Sequence, residues 1–257
     1  MGQAQDSGGE RIAKRIARAG RASRREAERL IAAGRVSVNG RRLDSPATLV
    51  TEADRIVVDG VALAAPEETR LFLYHKPPGL VVSRHDERGR RTVFDALPGD
   101  LPALMPVGRL DLASEGLLLL TNDGELKRRL ELPATGWSRR YRVRVHGAPE
   151  EAALDRLRRG LTLEGEHFRP MQLSVEHRPG TNAWLSVVLR EGRNREVRRA
   201  LDAIGLAVNR LIRVSYGPFQ LGDLGRGEVR EVAARVLREQ LGGPSSPRRG
   251  KGRPARD

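Results

Sequence analysis

The stretch "VGRLDLASEGLLLLTNDGEL", Val107 to Leu126, limits the possible folds of this chain more than any other. Leu117 to Leu120 form an apolar run without a polar break, so they should be buried, and with Thr121 they read as a strand. Just before that run stands an acid, Asp111, preceded by Gly108-Arg109-Leu110. Gly and Asp are ordinary turn residues, and a turn is the simplest reading of this spot. A carboxylate at the mouth of an apolar strand, beside an arginine, also fits a reactive acid. The rest of the chain has to decide between the two.

Charge narrows the field first. The 257 residues carry 47 Lys+Arg against 33 Asp+Glu, a formal net charge of +14, with a pI near 11.2. Such a field attracts polyanions, so nucleic acid leads as partner and an anionic membrane surface comes second. The chain has no cysteine, which excludes disulfides, zinc–thiolate sites and thiol nucleophiles. His75, His85, His146, His167 and His177 show no paired metal-ligand spacing, so no metal site is expected. No apolar stretch approaches the roughly 20 residues needed to span a bilayer, and Met1 to Glu10 is polar and Gly-rich rather than a signal segment. A cytoplasmic monomer that does not enter the membrane is expected.

The pattern divides the chain into a short disordered start (1–9), a basic module (10–62), a linker (63–69), a strand-rich domain (70–241) and a tail (242–257). In the module, Ile12, Ile16 and Ala19 share one helical face and Gly20 ends the helix. Ser23 and Glu26 then form an S-x-x-E capping box for a second helix carrying Ala27, Leu30 and Ile31. Val36 and Val38 alternate into Asn39-Gly40, a hairpin signal. Between Arg11 and Arg42 there are eleven basic and two acidic residues, a balance of +9. That is an electrostatic footprint for a phosphate backbone, with Lys14, Arg15, Arg18, Arg24, Arg25 and Arg35 as candidate RNA contacts.

Beyond the linker, strands are expected at 71–79, 80–83, 117–121, 140–147, 171–177 and 183–190. "RYRVRV" alternates strictly, with Tyr141, Val143 and Val145 on one face and arginines on the other. Helices are expected near 150–159 and 194–204, the latter capped by Asn194. Strands mixed with helices at hairpin-sized gaps favour an α+β domain with a mixed, mainly antiparallel sheet. The Gly/Pro/Ser-rich basic tail cannot bury a core and should be disordered.

Few chemistries survive. There is no G-x-x-x-x-G-K-[ST] and no G-x-G-x-x-G, so nucleotide cradles are unsupported. "LASEG" lacks the first glycine of a G-x-S-x-G elbow. Asp111 and Glu115 form only a weak glycosidase-like pair. A carboxylate can work as nucleophile or general base without any cofactor, given a cation to hold it ionised. Arg198, in "EGRNREVRRALDAIG", is a candidate for that cation, and Tyr141 could stack on a planar base. Asp123, in "TNDGEL", keeps a turn reading and no chemistry.

The blocks "YHKPPGLVVS", "GRRTVFDALP", "PVGRLDLASEGLLLLTNDGEL" and "EGRNREVRRALDAIGLAVNRLIRVSYGPF", behind the basic module, together resemble the RsuA/RluB type of bacterial ribosomal RNA pseudouridine synthases. The resemblance spans about residues 10–240, and the module resembles an S4 RNA-binding domain. It implies isomerisation of a uridine to pseudouridine without a cofactor. In that pattern Asp111 stands at the catalytic aspartate, Tyr141 at the tyrosine that packs against the base, and Arg198 at the cation paired with the aspartate. Arg109 stands at the arginine linked to base flipping. The wording of the module leans toward large-subunit rRNA. Small-subunit rRNA, or a non-catalytic RNA-binding or ribosome-assembly role, are the alternatives. Leu132, Trp137 and Glu196 depart from the pattern and bear on substrate choice.

Overall fold

A computed structural model describes residues 9–65 and 67–241. Of the disorder expected at residues 1–9 and 242–257, all but Gly9 falls outside that range. The described residues form two compact units, one within residues 9–70, 79–112 and 118–136, the other of residues 71–78, 113–117 and 137–241.

The first unit opens with the basic module. Helices Ile12–Arg18 and Arg24–Ala32 bury Ile12, Ile16, Ala27, Leu30 and Ile31 against Val36, Val50, Ile56 and Val58. The i, i+4 spacing of those residues is what places them on one side of each helix. Ser23 caps the second helix, its Oγ accepting from the Glu26 N–H at 3.2 Å. The reciprocal half of the expected box is replaced: the Glu26 carboxylate pairs with Arg29 at 2.7 Å. A four-stranded sheet runs Arg41–Arg42, Val36–Val38, Ile56–Val58, Val61–Ala62. Its two hairpins turn at Asn39-Gly40 and Asp59-Gly60, all four residues at positive φ, as a right-twisting two-residue hairpin requires.

In the rest of this unit Met105–Val107 pairs antiparallel with Leu119–Thr121. Asp123 does more than turn the chain. Its carboxylate caps helix Gly124–Glu131 through the Glu125 and Leu126 N–H groups and accepts from Thr69 Oγ1 at 2.6 Å. Burial would raise its pKa, but these hydrogen bonds and the Arg18 charge outweigh that and lower it. The expected linker is tied here as well, Asn122 Nδ2 donating to the Glu68 carbonyl at 2.9 Å.

In the second unit a sheet runs Gln172–His177, Asn182–Leu189, Arg139–His146, Ala207–Tyr216 and then the start of strand Glu115–Thr121, whose residues 118–121 belong to the first unit, and Leu71–Lys76 pairs with Val229–Glu231. Its pairings are antiparallel at 172–177 with 182–189, 182–189 with 139–146, and 139–146 with 207–216. Strand 207–216 runs parallel to 115–121, through Ile212↔Glu115 and Arg213↔Gly116. The sheet is therefore mixed and mainly antiparallel, as expected. Tyr141, Val143 and Val145 are buried with Ala183, Leu185 and Val187 of the next strand. A one-residue slip would expose them all, which fixes the register. Helices Glu151–Arg159 and Glu196–Asp202 bury Leu154, Leu157, Val197, Ala200 and Leu201.

Residues 80–83 are not a strand. The first sheet strand of the unit ends at Lys76 because Pro77-Pro78 removes two ladder donors, and only an isolated parallel bridge, Val81↔Thr92, remains. Strand Ala207–Tyr216, ten residues long, was not expected from the sequence. It lies at the centre of the sheet and meets the segment that follows Asp111.

That meeting is very close. Gly116 has φ +104°, and a Cβ added there would lie 2.3 Å from the Arg213 carbonyl oxygen and 2.7 Å from its nitrogen. No side chain fits such an approach without moving backbone. Gly116→Ala should therefore lose about 3 kcal/mol or more of stability, read by urea denaturation. A variant as stable as the wild type would mean that the close approach is not needed.

Candidate active site

Asp111 follows strand Met105–Val107 in the first unit. Gly108, at φ +66°, gives the turn, and its N–H donates to Glu131 Oε1 at 2.6 Å. Leu110 is buried, and the Leu112 carbonyl accepts from the Gly79 N–H at 2.7 Å. Asp111 is half-buried between these anchors and Arg109 is exposed.

One residue beyond Leu112 the chain enters the second unit, and there residues 113–117 are fastened one by one. Arg198 Nη2 donates to the Ala113 carbonyl at 3.2 Å, and its Nη1 to the Val208 carbonyl at 3.1 Å. Lys76, fully buried, donates to the Ser114 carbonyl at 2.8 Å and to that of Pro77 at 3.1 Å. Glu115, 3% exposed, is held by Arg210 Nε on Oε1 and by Arg226 Nη2, 2.9 Å from Oε2. Arg213 Nε donates to the Leu117 carbonyl at 2.7 Å. Buried carbonyls need donors, and a guanidinium or ammonium makes a stronger bond to them than a neutral N–H does.

This arrangement removes the glycosidase reading of Glu115. Burial alone would raise its pKa, but Arg210, Arg226 and the more distant His75 outweigh burial and lower it. A carboxylate so held is a poor proton donor.

Tyr141 and Arg198 both lie in the second unit, whereas Asp111 belongs to the first. Tyr141 is 9% exposed, on strand Arg139–His146 opposite Val187 and Arg213. Arg198 sits on helix Glu196–Asp202. Asn194 does not cap that helix. The N-cap is Arg195, left-handed at φ +48° and without a side-chain cap bond. The Arg193 N–H is instead satisfied by Glu196 Oε2 at 3.0 Å. Sequence reasoning missed Lys76, Arg210, Arg213 and Arg226 as supports of the segment.

Glu196 is buried, and burial together with the neighbouring Glu191 carboxylate holds its pKa up to about 8. Burial also acts on Glu191, but the hydrogen bond from Glu196, the Arg169 N–H and Arg193 outweigh it and lower its pKa. Glu196 thus keeps its proton at neutral pH and donates it to ionised Glu191. Glu166 extends the cluster, bound to Arg193 at 2.8 Å and to Arg199 at 2.6 Å.

In the basic module the candidate RNA contacts separate. Arg15 is buried, 3.8 Å from Glu10, and so is not an RNA-facing cation. It lies on the same helix side as Ile12 and Ile16, where its stem can pack in the core while its head reaches the acid. Arg18 pairs with Glu10 at 3.1 Å, Lys14 with Glu10 and Glu125, and Arg35 binds Asp59 through two bonds of 2.5 and 2.8 Å. Arg24 and Arg25 are exposed in the first turn of the second helix. Cations there oppose the helix dipole, a cost that a bound phosphate would reverse.

Among the described residues no group of three or more His, Cys, Asp or Glu could hold a metal ion. No helix among them is long and apolar enough to cross a membrane.

Residues 70–203 match the family model described as RNA pseudouridylate synthase, and residues 10–56 match the S4 domain. An RNA pseudouridine synthase of Rickettsia prowazekii, described as uncharacterised, is 42% identical over 90% of this chain and 97% of its own length. The ribosomal large subunit pseudouridine synthase B of Pasteurella multocida is 42% identical over 92% of this chain and 72% of its own. A crystal structure of a pseudouridylate synthase superposes with a TM-score of 0.64 at 28% identity, covering 90% of this chain and 99% of the other.

The Glu191–Glu196 pair gives a pH test. Glu196 has a raised folded pKa, so between about 4.5 and 8 the folded state holds a proton that the unfolded state has lost. Its contribution to stability therefore falls as pH rises through that window and levels off above it. Glu196→Gln keeps the acceptor for the Arg193 N–H and a donor for Glu191, and should flatten this slope. Its melting temperature relative to wild type should rise from pH 5 to pH 8. Parallel wild-type and variant profiles would contradict the assignment.

Proposed function

This chain belongs to the RNA pseudouridylate synthase family and carries an S4 domain ahead of its catalytic domain, and from that premise we propose that it isomerises a uridine of large-subunit ribosomal RNA. The relatives named ribosomal large subunit pseudouridine synthase B support the target. We take the S4 domain as residues 10–62 and the catalytic domain as 70–241, in a protein of the bacterial cytoplasm.

Asp111 is the proposed catalytic carboxylate, and the observation that carries this is the segment beside it. Five consecutive residues, 113–117, are held by Arg198, Lys76, Arg210 with Arg226, the Gly116 close approach, and Arg213. So many fixed contacts just after one half-buried acid suit a group that must be held to a fraction of an ångström. A turn aspartate would need none of them.

In the reaction the N1–C1′ glycosidic bond breaks, the uracil turns while bound, and a C5–C1′ bond forms. The C5 proton is lost and N1 gains one, so nothing leaves and no energy source is consumed. The target must first leave its stack, at roughly a few kcal/mol and less from a loop or bulge. Arg109, exposed beside Asp111, is placed in this reading to fill the vacated space. Tyr141 lies against the base. Arg198 fixes the Ala113 carbonyl, two residues along the chain from Asp111. The exposed Arg24 and Arg25, with the outer parts of Lys14, Arg18 and Arg35, supply phosphate contacts that exchange with their intramolecular partners.

Asp111→Asn matches the carboxylate in size but is neither a nucleophile nor a useful base. It should fold, bind a 23S rRNA transcript, and form no pseudouridine detectable by carbodiimide-dependent primer extension. Asp123→Asn should keep near-wild-type activity, since asparagine caps a helix about as well as aspartate. Pseudouridine formed by Asp111→Asn at close to the wild-type rate would overturn the proposal.

A further inference from the structure

Sheet registry in the second unit aligns one row of residues across four strands: His177 opposite Trp184, Trp184 opposite Arg144, and Arg144 opposite Arg210. The row lies on the face away from Val143 and Val145, whose side chains are buried. The period of two that sends those valines inward turns Arg142 and Arg144 outward. The His177 and Trp184 rings are nearly parallel, 20° apart in plane, with centroids 6.2 Å apart. The Arg142 guanidinium lies 4.9 Å from the Trp184 ring centre, and that of Arg210 lies 5.9 Å from it.

The charges in and beside the row are not equally satisfied. Arg142 donates to Glu176 at 2.9 Å and Arg210 is bound to Glu115. Arg144 has no acidic partner among the described residues, and its Nε is shielded from solvent without a hydrogen-bond partner. A buried donor left unsatisfied is costly, so such a group calls for an explanation. The next same-face row, His146 and Asn182, lines a depression of about 340 Å³ together with Arg178, Gly180 and Thr181. At the other side, Val208, which accepts from Arg198, is two residues along the strand from Arg210. That is about 6.6 Å of strand rise.

We propose that this row is a second RNA contact, holding a single-stranded nucleotide that flanks the target uridine. Its base stacks on the Trp184–His177 surface and its phosphate completes the hydrogen bonding of Arg144. The inference rests on the reading that the chain acts on RNA. An aromatic surface interleaved with arginines suits single strands, because every base has a π face and every nucleotide a phosphate. The depression beside His146 leaves room for the next nucleotide.

The test uses the full chain and a fluorescently labelled single-stranded oligouridylate. Trp184→Ala should weaken binding on the order of tenfold, the usual effect of losing one base stack. Arg144→Gln should weaken it and flatten the log-affinity versus log-salt slope by about 0.7. Trp184→Phe, which keeps a stacking ring, should retain most of the affinity and shows that the site is intact. Unlabelled oligouridylate should quench the intrinsic fluorescence of the wild type, and Trp184→Phe, in which Trp137 remains, should lose that quench. Circular dichroism melts matching the wild type establish that the variants are folded. Affinities within twofold of wild type for both Trp184→Ala and Arg144→Gln would overturn the proposal. Pseudouridine formation by the wild type on a 23S rRNA transcript tests the underlying reading separately. Its failure would leave the binding results intact.

Discussion

The second unit depends on the approach of Gly116 to the backbone of Arg213. A parallel pairing this tight admits no Cβ, and it sets the position of strand 115–121 against the strand that also carries Val208 and Arg210. Once that distance is fixed, the arginine of the same pair can turn its Nε onto the Leu117 carbonyl. The other cations then close over the carbonyls and the carboxylate of residues 113–115. Each contact is local, but they act on one stretch of five residues. Together they fix the backbone of residues 113–117.

The energetics explain why the segment uses cations rather than apolar packing. Breaking a buried ion pair by removing one partner costs about 3–5 kcal/mol, whereas an apolar replacement of the whole pair is often neutral. Glu115 is buried, but its partners Arg210 and Arg226 are 41% and 55% exposed, so these pairs lie at the edge of the interior and argue for geometry more than for stability. Directional bonds define one arrangement where leucines would tolerate several. The same logic applies to Lys76, whose ammonium is fully buried on backbone carbonyls. The surface charges behave differently. The formal +9 of the module overstates its free charge, since Arg18 and Arg35 are engaged by Glu10 and Asp59 and Arg15 is buried. Exposed pairs of this kind contribute about 0–1 kcal/mol, so a polyanion can displace them at little cost.

Local signals in the sequence were reliable where one residue type answers one physical need. Ser23 at a helix start, Asn39-Gly40 at a hairpin and the alternation Tyr141-Val143-Val145 each led to the observed element. Strand 207–216 was missed because polar Asn209 and Arg210 fall together in it and its pairing skips two of its own residues, Val214 and Asn209, as bulges opposite Arg140/Tyr141 and Arg144/Val145. The strand expected at 80–83 failed for the opposite reason: a good β composition lost to Pro77-Pro78 ahead of it. Asp111, Tyr141 and Arg198 are proposed as site residues on the motifs that contain them. The supports were not legible in the sequence. Lys76, Arg213 and Arg226 reach residues 113–117 from distant parts of the chain, and nothing in their local sequence separates them from the other basic residues. Glu115 was weighed for chemistry because it is acidic and near Asp111, and only the two arginines on it reveal a structural role.

The central claim is that residues 113–117 are pinned so that Asp111 can work, and Arg198 tests it most directly. Its fork spans two carbonyls, Ala113 and Val208. A lysine keeps the charge but cannot hold both in the same geometry. Single-turnover pseudouridine formation by Arg198→Lys, with enzyme in excess over a 23S rRNA transcript, isolates the chemical step from RNA affinity. The account predicts a rate lower on the order of 10- to 100-fold at unchanged RNA affinity and melting temperature close to wild type. A wild-type single-turnover rate in that variant would contradict it.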